Sequence, residues 1–455
     1  MEYKNLKNLI VLLALICLTI NISLGQENNI INKTKSQLKL TESNQMFYQG
    51  NIKTALLNYK EIIASNPLNS KAQFGAARCY YRLNDYNNAK YHVEMAFKND
   101  PKTDEDLHYL MAEVYFRLGA LEKSKINYEK YKTTCSKQKL KEYNIDLKLR
   151  QLEYSNTTLN NSNEKITITN MGPIINSKGP EYAPSISNDG KYLMFTSRRP
   201  DTKGGNVDQY YDHQYFSDIY LSKWDSVTNN WSKPTNKLGK INTEFYDASL
   251  SFKPDNSIII YRNIMDVTKS GDIYEASYSK NDSWSSPKPI LYKNKAISNK
   301  INSSYFESSA SITEDESYIY FVSERVSGFG KTDIYCVKKE GKNYLEPENL
   351  GNKINSSGDE KCVFIHPSGK LLFFTSNGRD ESIGSYDVYY CTGGYGNWSE
   401  PKNIGRPINT TLEEKTINIS KDGNTAFVGG YYNINNQGDV DLYKIDISSL
   451  NLLKK

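Results

Sequence analysis

The chain contains few of the residues that most enzyme and metal sites use. Only four histidines and six cysteines occur among its 455 residues. The histidines form neither an HExxH motif nor a pair with metal-ligand spacing, and the serines form no Gly-x-Ser-x-Gly elbow. Glycine patterns typical of nucleotide phosphate binding are also lacking. We therefore predict no catalytic residue, no metal site, no bound cofactor and a protein that is not an enzyme.

The cysteines give no disulfide framework. Those that follow the N-terminal segment are odd in number and contain no CxxC pair: Cys79, Cys135, Cys336, Cys362 and Cys391. Cys336 and Cys391 follow the same strand motif in neighbouring repeats, where small apolar side chains are expected in the interior. We interpret these residues as core thiols rather than as a disulfide set.

Charge of one sign is scarce, and so are long apolar runs. The net charge of +5 gives no argument for nucleic acid or an anionic membrane surface. One apolar run, Leu9 to Leu18, follows Lys4 and Lys7 and precedes a small-x-small pattern before Gln26. These features predict a signal peptide over residues 1–25, then a disordered stretch over 26–34. We expect an exported chain without a transmembrane segment, and no lipidation at Cys17, because Cys17 lies inside the apolar run.

Residues 35–155 carry a helical period of 34 residues. Ala55 and Ala89 are separated by this distance, and so are Pro67 and Pro101. Small residues at such positions let two antiparallel helices approach closely, and each proline ends a helix. The pattern resembles the tetratricopeptide repeat (TPR), with about three repeats and a capping helix. We expect the concave face to hold a peptide or a partner helix, although a short array also serves as a spacer. Residues 156–165, rich in Asn, Ser and Thr, are interpreted as a linker.

A second repeat, of about 55 residues, runs from about residue 180 to the end. Its clearest element is Asp-aliphatic-Tyr, which begins at Asp218, Asp272, Asp333, Asp387 and Asp441. Short β-branched and aromatic runs joined by Asp-Gly type turns are typical of β-hairpins. A fixed period of this length predicts radially arranged β units. We therefore predict a multidomain chain of α and all-β parts, with a five-bladed β-propeller over residues 166–450.

The fifth repeat stops after its third strand, and its missing tail is found at the other end. The segment Met171 to Ser177 matches Ile404 to Thr410. We therefore predict that residues 166–177 complete the last blade and close the ring, which removes the exposed strand edges.

The repeats resemble TolB-type, WD40-like propeller repeats. The order Glu, Pro-Ser-x-Ser-x-Asp-Gly-Lys, Phe-x-Ser-x-Arg, Asp-Ile-Tyr, Trp-Ser-x-Pro, Leu-Gly and Ile-Asn is similar to that in Bacteroidetes envelope proteins of the OmpA family. Those proteins join TPRs and this propeller to a carboxypeptidase-regulatory-like domain and a peptidoglycan-binding OmpA domain. One branch, the PorE-like proteins, belongs to the type IX secretion apparatus. This sequence ends without either later domain, so peptidoglycan binding is not expected from it.

One residue of each repeat is acidic and precedes the first strand: Glu181, Asp247, Glu307, Glu360 and Glu414. Arg199, Arg325 and Arg379 lie at nearly equivalent places after the second strand, and Arg262 lies three residues short of that place. We expect the two sets to meet on one face of the propeller. They could form a ligand or cation rim, or they could pair with each other and fix the packing of the blades. The aspartates of the Asp-aliphatic-Tyr element are expected to cap turns.

The resemblance and the N-terminal pattern together imply a non-catalytic scaffold. It would reside in the periplasm or on the periplasmic side of the outer membrane. Its TPR groove and propeller faces would bind protein partners of an envelope or secretion assembly. The alternative is a glycan- or peptide-processing enzyme that uses the acidic rim. Repetition of the acid in all five units argues against a dedicated catalytic pair.

Overall fold

The computed structural model describes residues 34–209, 212–264, 270–279, 282–432 and 434–454. The predicted signal peptide, residues 1–25, lies outside these ranges. So does most of the stretch predicted to be disordered, although Thr34 is already helical. In the described part of the chain, no helix is both long and apolar enough to cross a membrane.

The N-terminal region is helical and has the TPR form that the 34-residue period predicts. Its helices are α1 (34–48), α2 (Ile52–Ser65), α3 (Ser70–Arg82), α4 (Tyr86–Asn99), α5 (Leu107–Arg117), α6 (Leu121–Thr134), α7 (Lys137–Glu142) and α8 (Ile145–Thr157). Asn51, Asn69 and Asp85 accept hydrogen bonds from the first turns of α2, α3 and α4, so polar caps start these helices.

Small residues let the helices pack closely. A Cβ atom on Gly75 would lie 2.4 Å from the ring of Tyr59, so α3 can approach α2 only because residue 75 has no side chain. Tyr59 and Ala55 are fully buried in a core that also includes Ala76. The predicted role of small residues at the crossing points is therefore visible in the packing.

The β part is a five-bladed propeller. The inner strand of each blade is followed by two antiparallel neighbours, in the order blade 1 to blade 5: β2 (Glu181–Ile186), β3 (Tyr192–Ser197), β4 (Asp218–Asp225); β6 (Tyr246–Phe252), β7 (Ile258–Asn263), β8 (Asp272–Ala276); β12 (Glu307–Ile312), β13 (Tyr318–Ser323), β14 (Asp333–Glu340); β17 (Glu360–Ile365), β18 (Leu371–Ser376), β19 (Asp387–Thr392); β21 (Glu414–Ile419), β22 (Thr425–Gly430), β23 (Asp441–Asp446).

The outer strands are shorter than the period suggests. They are β5 (Asn230–Trp231), β11 (Lys288–Pro289), β15 (Asn343–Tyr344), β16 (Glu348–Asn349) and β20 (Lys402–Asn403), with a small side sheet of β9 (Tyr278–Ser279) and β10 (Ser283–Trp284). Two of the repeated Gly-x-x-Ile tails form short helical turns, α9 (Gly172–Ile175) and α11 (Gly351–Ile354), and the tail of blade 2 forms the longer α10 (Lys295–Ile301).

The ring closes as predicted. Strand β1 (Thr167–Asn170) pairs antiparallel with β23, so the sheet order of blade 5 is β1-β23-β22-β21. Apolar clusters fill the spaces between successive blades, and one of them joins blade 5 to blade 1 through Phe427, Leu442, Leu193 and Phe195. Middle strands such as β18 are buried along their whole length, because each sheet packs on both of its faces.

By compactness the described chain divides into two units, and the division does not follow the change in secondary structure. Residues 34–114 and 212–213 form one unit, and residues 115–209 and 214–454 form the other. Helices α6–α8 therefore belong to the unit that holds the propeller. The boundary predicted at 155/156 separates types of secondary structure, whereas the packing boundary lies before Tyr115.

Helix α8 packs against the propeller through the hydrogen bonds of a buried glutamine. Gln151 is buried, and its Nε2 donates to the carbonyl oxygens of Asn377 and Arg379, each at 2.9 Å. Near the end of α5, Arg117 donates to the Leu412 carbonyl at 3.3 Å and pairs with Glu413 at 3.5 Å. The helix predicted to cap the solenoid thus packs on blade 4, and the end of α5 contacts the start of blade 5.

In each tail, an asparagine side-chain amide makes the two backbone hydrogen bonds that a neighbouring strand would otherwise make. Asn176 Oδ1 accepts from the Leu442 N–H at 2.8 Å, and its Nδ2 donates to the Leu442 carbonyl at 3.0 Å. The same pair of hydrogen bonds to one backbone residue is made in the other blades by Asn242, Asn302, Asn355 and Asn409. Because Asn176 belongs to the N-terminal tail, its amide also fastens the closure of the ring.

We predict that Asn176→Ala lowers the free energy of unfolding by about 2–4 kcal/mol, because it leaves a buried N–H and a buried carbonyl unbonded. The measurement is chemical denaturation of the full chain. Asn160→Ala, at an exposed residue, is the control and should change stability by less than ~0.5 kcal/mol. Equal stability of the two variants would contradict the assigned role.

Candidate functional site: buried acid–arginine clusters, an inner-strand cavity and an arginine–aromatic cluster

The acidic residue that opens each blade lies in the interior. All five side chains are without solvent exposure: Glu181, Asp247, Glu307, Glu360 and Glu414. Each is the first or second residue of its inner strand, directly after the loop that precedes the blade. A buried carboxylate must be bonded to remain charged, so its neighbours decide what it can do.

Blade 3 illustrates the arrangement. Glu307 accepts the Ser303 N–H at 3.0 Å and the Ser303 hydroxyl at 2.7 Å, four residues upstream. It also accepts the Ser323 hydroxyl at 2.8 Å and Arg325 Nη2 at 3.2 Å. Burial raises the pKa of Glu307, and the hydroxyl and guanidinium partners oppose that rise. The oxygens of Glu307 are thereby used within its own blade.

The arginines have a second partner in every blade that carries one. Arg199, Arg262, Arg325 and Arg379 donate to tail carbonyls, those of Ile175, Ile241, Ile301 and Ile354. Each guanidinium also lies over the tyrosine of the Asp-aliphatic-Tyr element, at 4.6 Å in the case of Arg199 and Tyr220. In blades 1, 2 and 3 the arginine therefore connects the acid, the tail and the third strand, whereas Arg379 of blade 4 connects the tail and the third strand.

Arg262, three residues short of the place of the other arginines in the sequence, makes the same kinds of contact in blade 2. Its Nε lies 2.7 Å from Asp247 Oδ1. In blade 2 the paired strand residues are Asp247 and Arg262 themselves, so a shorter acid meets an arginine three residues earlier.

Acid and arginine pair directly inside the fold in blades 1, 2 and 3, at 3.1, 2.7 and 3.2 Å. In blade 4 the described residues Arg379 and Glu360 make no ion pair with each other, and Glu360 Oε2 is buried without a hydrogen-bond partner there. Blade 5 has no arginine at this place. The five acids do not form an open carboxylate rim in this conformation. Ligand or cation binding by this face stays a prediction. In the described part of the chain, no group of three or more His, Cys, Asp or Glu side chains is arranged to hold a metal ion.

The aspartate at the start of each third strand is predicted to cap the loop before it, by accepting hydrogen bonds from that loop's backbone N–H groups. Asp333 accepts the Phe329 and Gly330 N–H groups at 2.6 and 3.0 Å and the Asn349 side chain at 2.7 Å. Related contacts are made by Asp218, Asp387 and Asp441. Burial raises the pKa of Asp218 and of Asp387 to about 6. These contacts are those of side chains that cap a turn; for Asp272 the role stays a prediction.

A small cavity of about 20 Å³ is lined by residues at the ends of the inner strands of all five blades. Its walls include Ser185, Phe252, Ile312, Phe364 and Asn418, one residue from each blade. Glu314 of blade 3 and Lys421 of blade 5 line the same cavity and form an ion pair at 2.5 Å. This pair links two blades that are not neighbours in the ring.

The thiols lie mostly in the interior. None of the five described cysteines is in a disulfide, and all but Cys135 are buried, as the sequence predicted for Cys336 and Cys391. Burial raises the pKa of the Cys79 thiol to about 12, which makes it a poor nucleophile at neutral pH. His366 is buried, and burial lowers its pKa.

In the helical unit, α1 and α3 place an arginine among aromatic rings. The Arg78 guanidinium carbon lies 4.2 Å from the centre of the Phe47 ring, 5.3 Å from Tyr48 and 5.4 Å from Phe74. Its Nη1 donates to the Tyr48 hydroxyl at 3.1 Å and its Nη2 to Asn44 Oδ1 at 3.5 Å. We call these five residues the Arg78 cluster.

The charge of the Arg78 cluster is not balanced by an acid. Arg78 makes no ion pair with any residue that the structure describes, and its Nε is buried without a hydrogen-bond partner there. Tyr48 remains 75% exposed, so one side of the cluster is open to solvent. A half-buried guanidinium with aromatic walls and no carboxylate is well suited to an incoming anion.

Comparison with known proteins supports the helical part directly. A protein-family model for the tetratricopeptide repeat matches residues 46–114. No curated protein sequence matches the chain. The protein thus combines a TPR region with a five-bladed propeller, and both folds are typical of scaffolds for protein interactions.

Solved structures with detectable likeness share low identity with the chain. The first TPR of Spaghetti (RPAP3), bound to an HSP90 peptide, is 19% identical over 27% of this chain and 94% of its own, with a TM-score of 0.25. The type III secretion translocator chaperone SycD of Yersinia enterocolitica is 14% identical over 27% and 85%, with a TM-score of 0.25. The Hadza microbial sialidase Hz136 is 10% identical over 60% and 53%, with a TM-score of 0.37. No activity or partner transfers from likenesses of this size.

We predict that Glu307→Ala costs about 3 kcal/mol of unfolding free energy, because Arg325 is left in the interior without its counter-ion. Glu324→Ala, at an exposed glutamate of the same blade, is the control. Thermal unfolding followed by circular dichroism measures both. A Glu307→Ala protein as stable as the control would mean that the acid is held for a ligand and not for packing.

Proposed function

We propose that the protein is a non-catalytic scaffold of a bacterial cell envelope. It would bind acidic segments of partner proteins through its TPR groove and hold further partners on the propeller faces. Export to the periplasm, or to the periplasmic side of the outer membrane, is supported by the N-terminal sequence pattern. The resemblance to PorE-like proteins suggests the type IX secretion apparatus as the assembly.

The observation that carries this proposal is the Arg78 cluster. Its guanidinium is held in place by Tyr48 and Asn44, so little side-chain entropy is lost when a ligand binds. Hydrogen bonds to a charged partner are the stronger class, and the aromatic walls would pack against the apolar part of a peptide. A carboxylate beside an apolar side chain is therefore the chemistry that fits.

The distribution of charge favours acidic partners as well. Residues 121–150, which cover α6, α7 and the start of α8, contain nine basic and four acidic residues, and the excess equals the net charge of +5 of the whole chain. Lys125, Lys130, Lys137 and Lys141 are exposed and make no ion pair within the described ranges. Helix α7 has no buried residue at all. Such a face attracts acidic chains at moderate salt.

The enzyme alternative has less support. It needs a pair of carboxylates open to substrate, whereas all five acids of the predicted rim are without solvent exposure. General acid–base work on a glycosidic bond also requires two unlike carboxylates at a suitable separation. The repeated acids instead share the same kind of internal partners.

The scaffold proposal is tested with a displayed library of random twelve-residue peptides and the full mature chain. We expect enrichment of peptides with Asp or Glu next to an apolar residue. Arg78→Ala should weaken selected peptides at least ~10-fold, or about 1.4 kcal/mol. Arg82→Ala, at an exposed arginine of the same helix, should change affinity less than twofold. Equal binding by both variants, or no acidic enrichment, would refute the proposal.

Export gives a separate prediction. Expression of the full chain in a Gram-negative host should yield a periplasmic protein whose mature N-terminus is Gln26, as measured by mass spectrometry of the purified protein. Replacing Leu12 and Leu13 with arginine interrupts the apolar run and should retain the uncleaved chain in the cytoplasm. Retention of the unaltered chain in the cytoplasm would contradict the predicted signal peptide.

A further inference from the structure

Blade 5 departs from the other blades at its buried acid. In blades 1, 3 and 4 the second strand ends in a serine whose hydroxyl donates to the acid: Ser197, Ser323 and Ser376. In blade 5 that position is Gly430, which has no hydroxyl. The arginine is also missing, and Tyr432 takes its place by donating to the Ile408 carbonyl at 2.7 Å.

Glu414 therefore keeps only part of the usual set of partners. It accepts the Thr410 N–H at 3.1 Å and the Thr410 hydroxyl at 2.7 Å. No guanidinium of its own blade reaches it, and Arg406, from the preceding tail, faces both Asp387 and Glu414 and donates to Ser155. One cation thus faces two buried carboxyl groups.

The other charged groups around Glu414 disfavour its ionised form. Asp387 and Glu413 are both close enough to oppose a negative charge on it, and the buried Tyr432, two residues beyond the second strand, is near enough to interact electrostatically with it. Glu413 has cations of its own, Arg117 at 3.5 Å and Lys415 at 2.9 Å, and its pKa is lowered. Burial, and then Asp387, hold the pKa of Glu414 well above its usual value.

This acid lies in the blade that closes the ring. Glu414 pairs in register with Gly430, Gly430 with Asp441, and Asp441 accepts the Asn170 side chain of β1 at 2.7 Å. These residues form a row across one end of the blade. Tyr432, which lies near Glu414, also packs edge-on against Tyr443 at 4.7 Å, and Tyr443 pairs with Asn170.

We propose that blade 5 is a pH-sensitive latch, in which protonated Glu414 keeps the ring closed and its ionisation at higher pH loosens β1 from β23. The closing strand β1 has only four paired residues, so its pairing depends on the row of residues from Glu414 to Asn170 staying in place. A negative charge next to Asp387 and Glu413 would repel both and displace Tyr432 from its place over Tyr443. The seam is where such a displacement opens the ring at the smallest cost.

The direction of the effect follows from proton binding. An unfolded glutamate has a pKa of about 4.3, and folded Glu414 binds its proton more tightly. Above that pH the folded state holds more protons than the unfolded state, so stability falls as pH rises. Below it both states are protonated and the contribution is constant. The latch is therefore tightest in mild acid and loosens towards neutral and alkaline pH.

Amide hydrogen exchange on the full chain tests the latch without any partner. In the unaltered protein, protection of the amides of 167–170 and 443–446 should be at least ~10-fold weaker at pH 8.0 than at pH 5.5, after correction for intrinsic exchange. Glu414→Gln should make the two values equal, because the amide cannot ionise. Glu360→Gln, the same change at the equivalent buried residue of blade 4, should leave the difference at the seam intact.

A second variant guards against misfolding of the first. Gly430→Ser restores the hydroxyl that three other blades use; its Cβ would lie 3.3 Å from the Glu413 carbonyl oxygen, a tight contact that a small shift relieves. We expect it to reduce the pH difference at the seam at least ~3-fold, because a donor to the carboxylate lowers the pKa. The latch is refuted if the unaltered seam shows no pH difference, if Glu360→Gln abolishes it, or if both blade 5 variants retain it.

Discussion

Burying a carboxylate is costly unless hydrogen bonds or a counter-ion compensate it, and this requirement organises the propeller. In blade 3 it fixes a serine four residues before Glu307, another serine at the end of β13 and an arginine beyond it. The arginine in turn satisfies the Ile301 carbonyl of the preceding tail. One buried charge thus connects the tail, the inner strand and the second strand, segments that are distant in sequence.

The same rule applied to backbone groups explains how the ring holds together. Where the short outer strands end, the third strand would be left with an unpaired N–H and carbonyl. The asparagine amide of the tail supplies both partners in each blade, from Asn242 in blade 1 to Asn409 in blade 4. In blade 5 only the N-terminal tail can reach, so Asn176 and β1 make the closure a polar as well as an apolar contact.

The period of the Asp-aliphatic-Tyr element was enough to predict the propeller, because spacing reports directly on repeated strands. The tail match between residues 171–177 and 404–410 was enough to place the seam. The complete burial of the acidic side chains could not be predicted in the same way. Their main partners are a serine or threonine four residues upstream, which is a common pair in any loop, and an arginine whose position shifts in blade 2. The anchoring of α8 was also hidden, because Gln151 binds backbone carbonyls of Asn377 and Arg379, which leave no sequence signal.

Repetition supplies an internal comparison that a single site lacks. A residue present in every blade answers a demand that every blade makes, and the buried acids, capping aspartates and tail asparagines belong to this class. Residues that depart from the repeated pattern are not explained by the packing that all blades share. Gly430 and Tyr432 leave Glu414 with fewer donors in the one blade whose order also controls closure. Arg78 stands apart in the helical unit for the opposite reason, since it carries a charge that no described acid balances. Specific function is best sought at these two departures, because stability alone would have favoured the common pattern in the first case and an ion pair in the second.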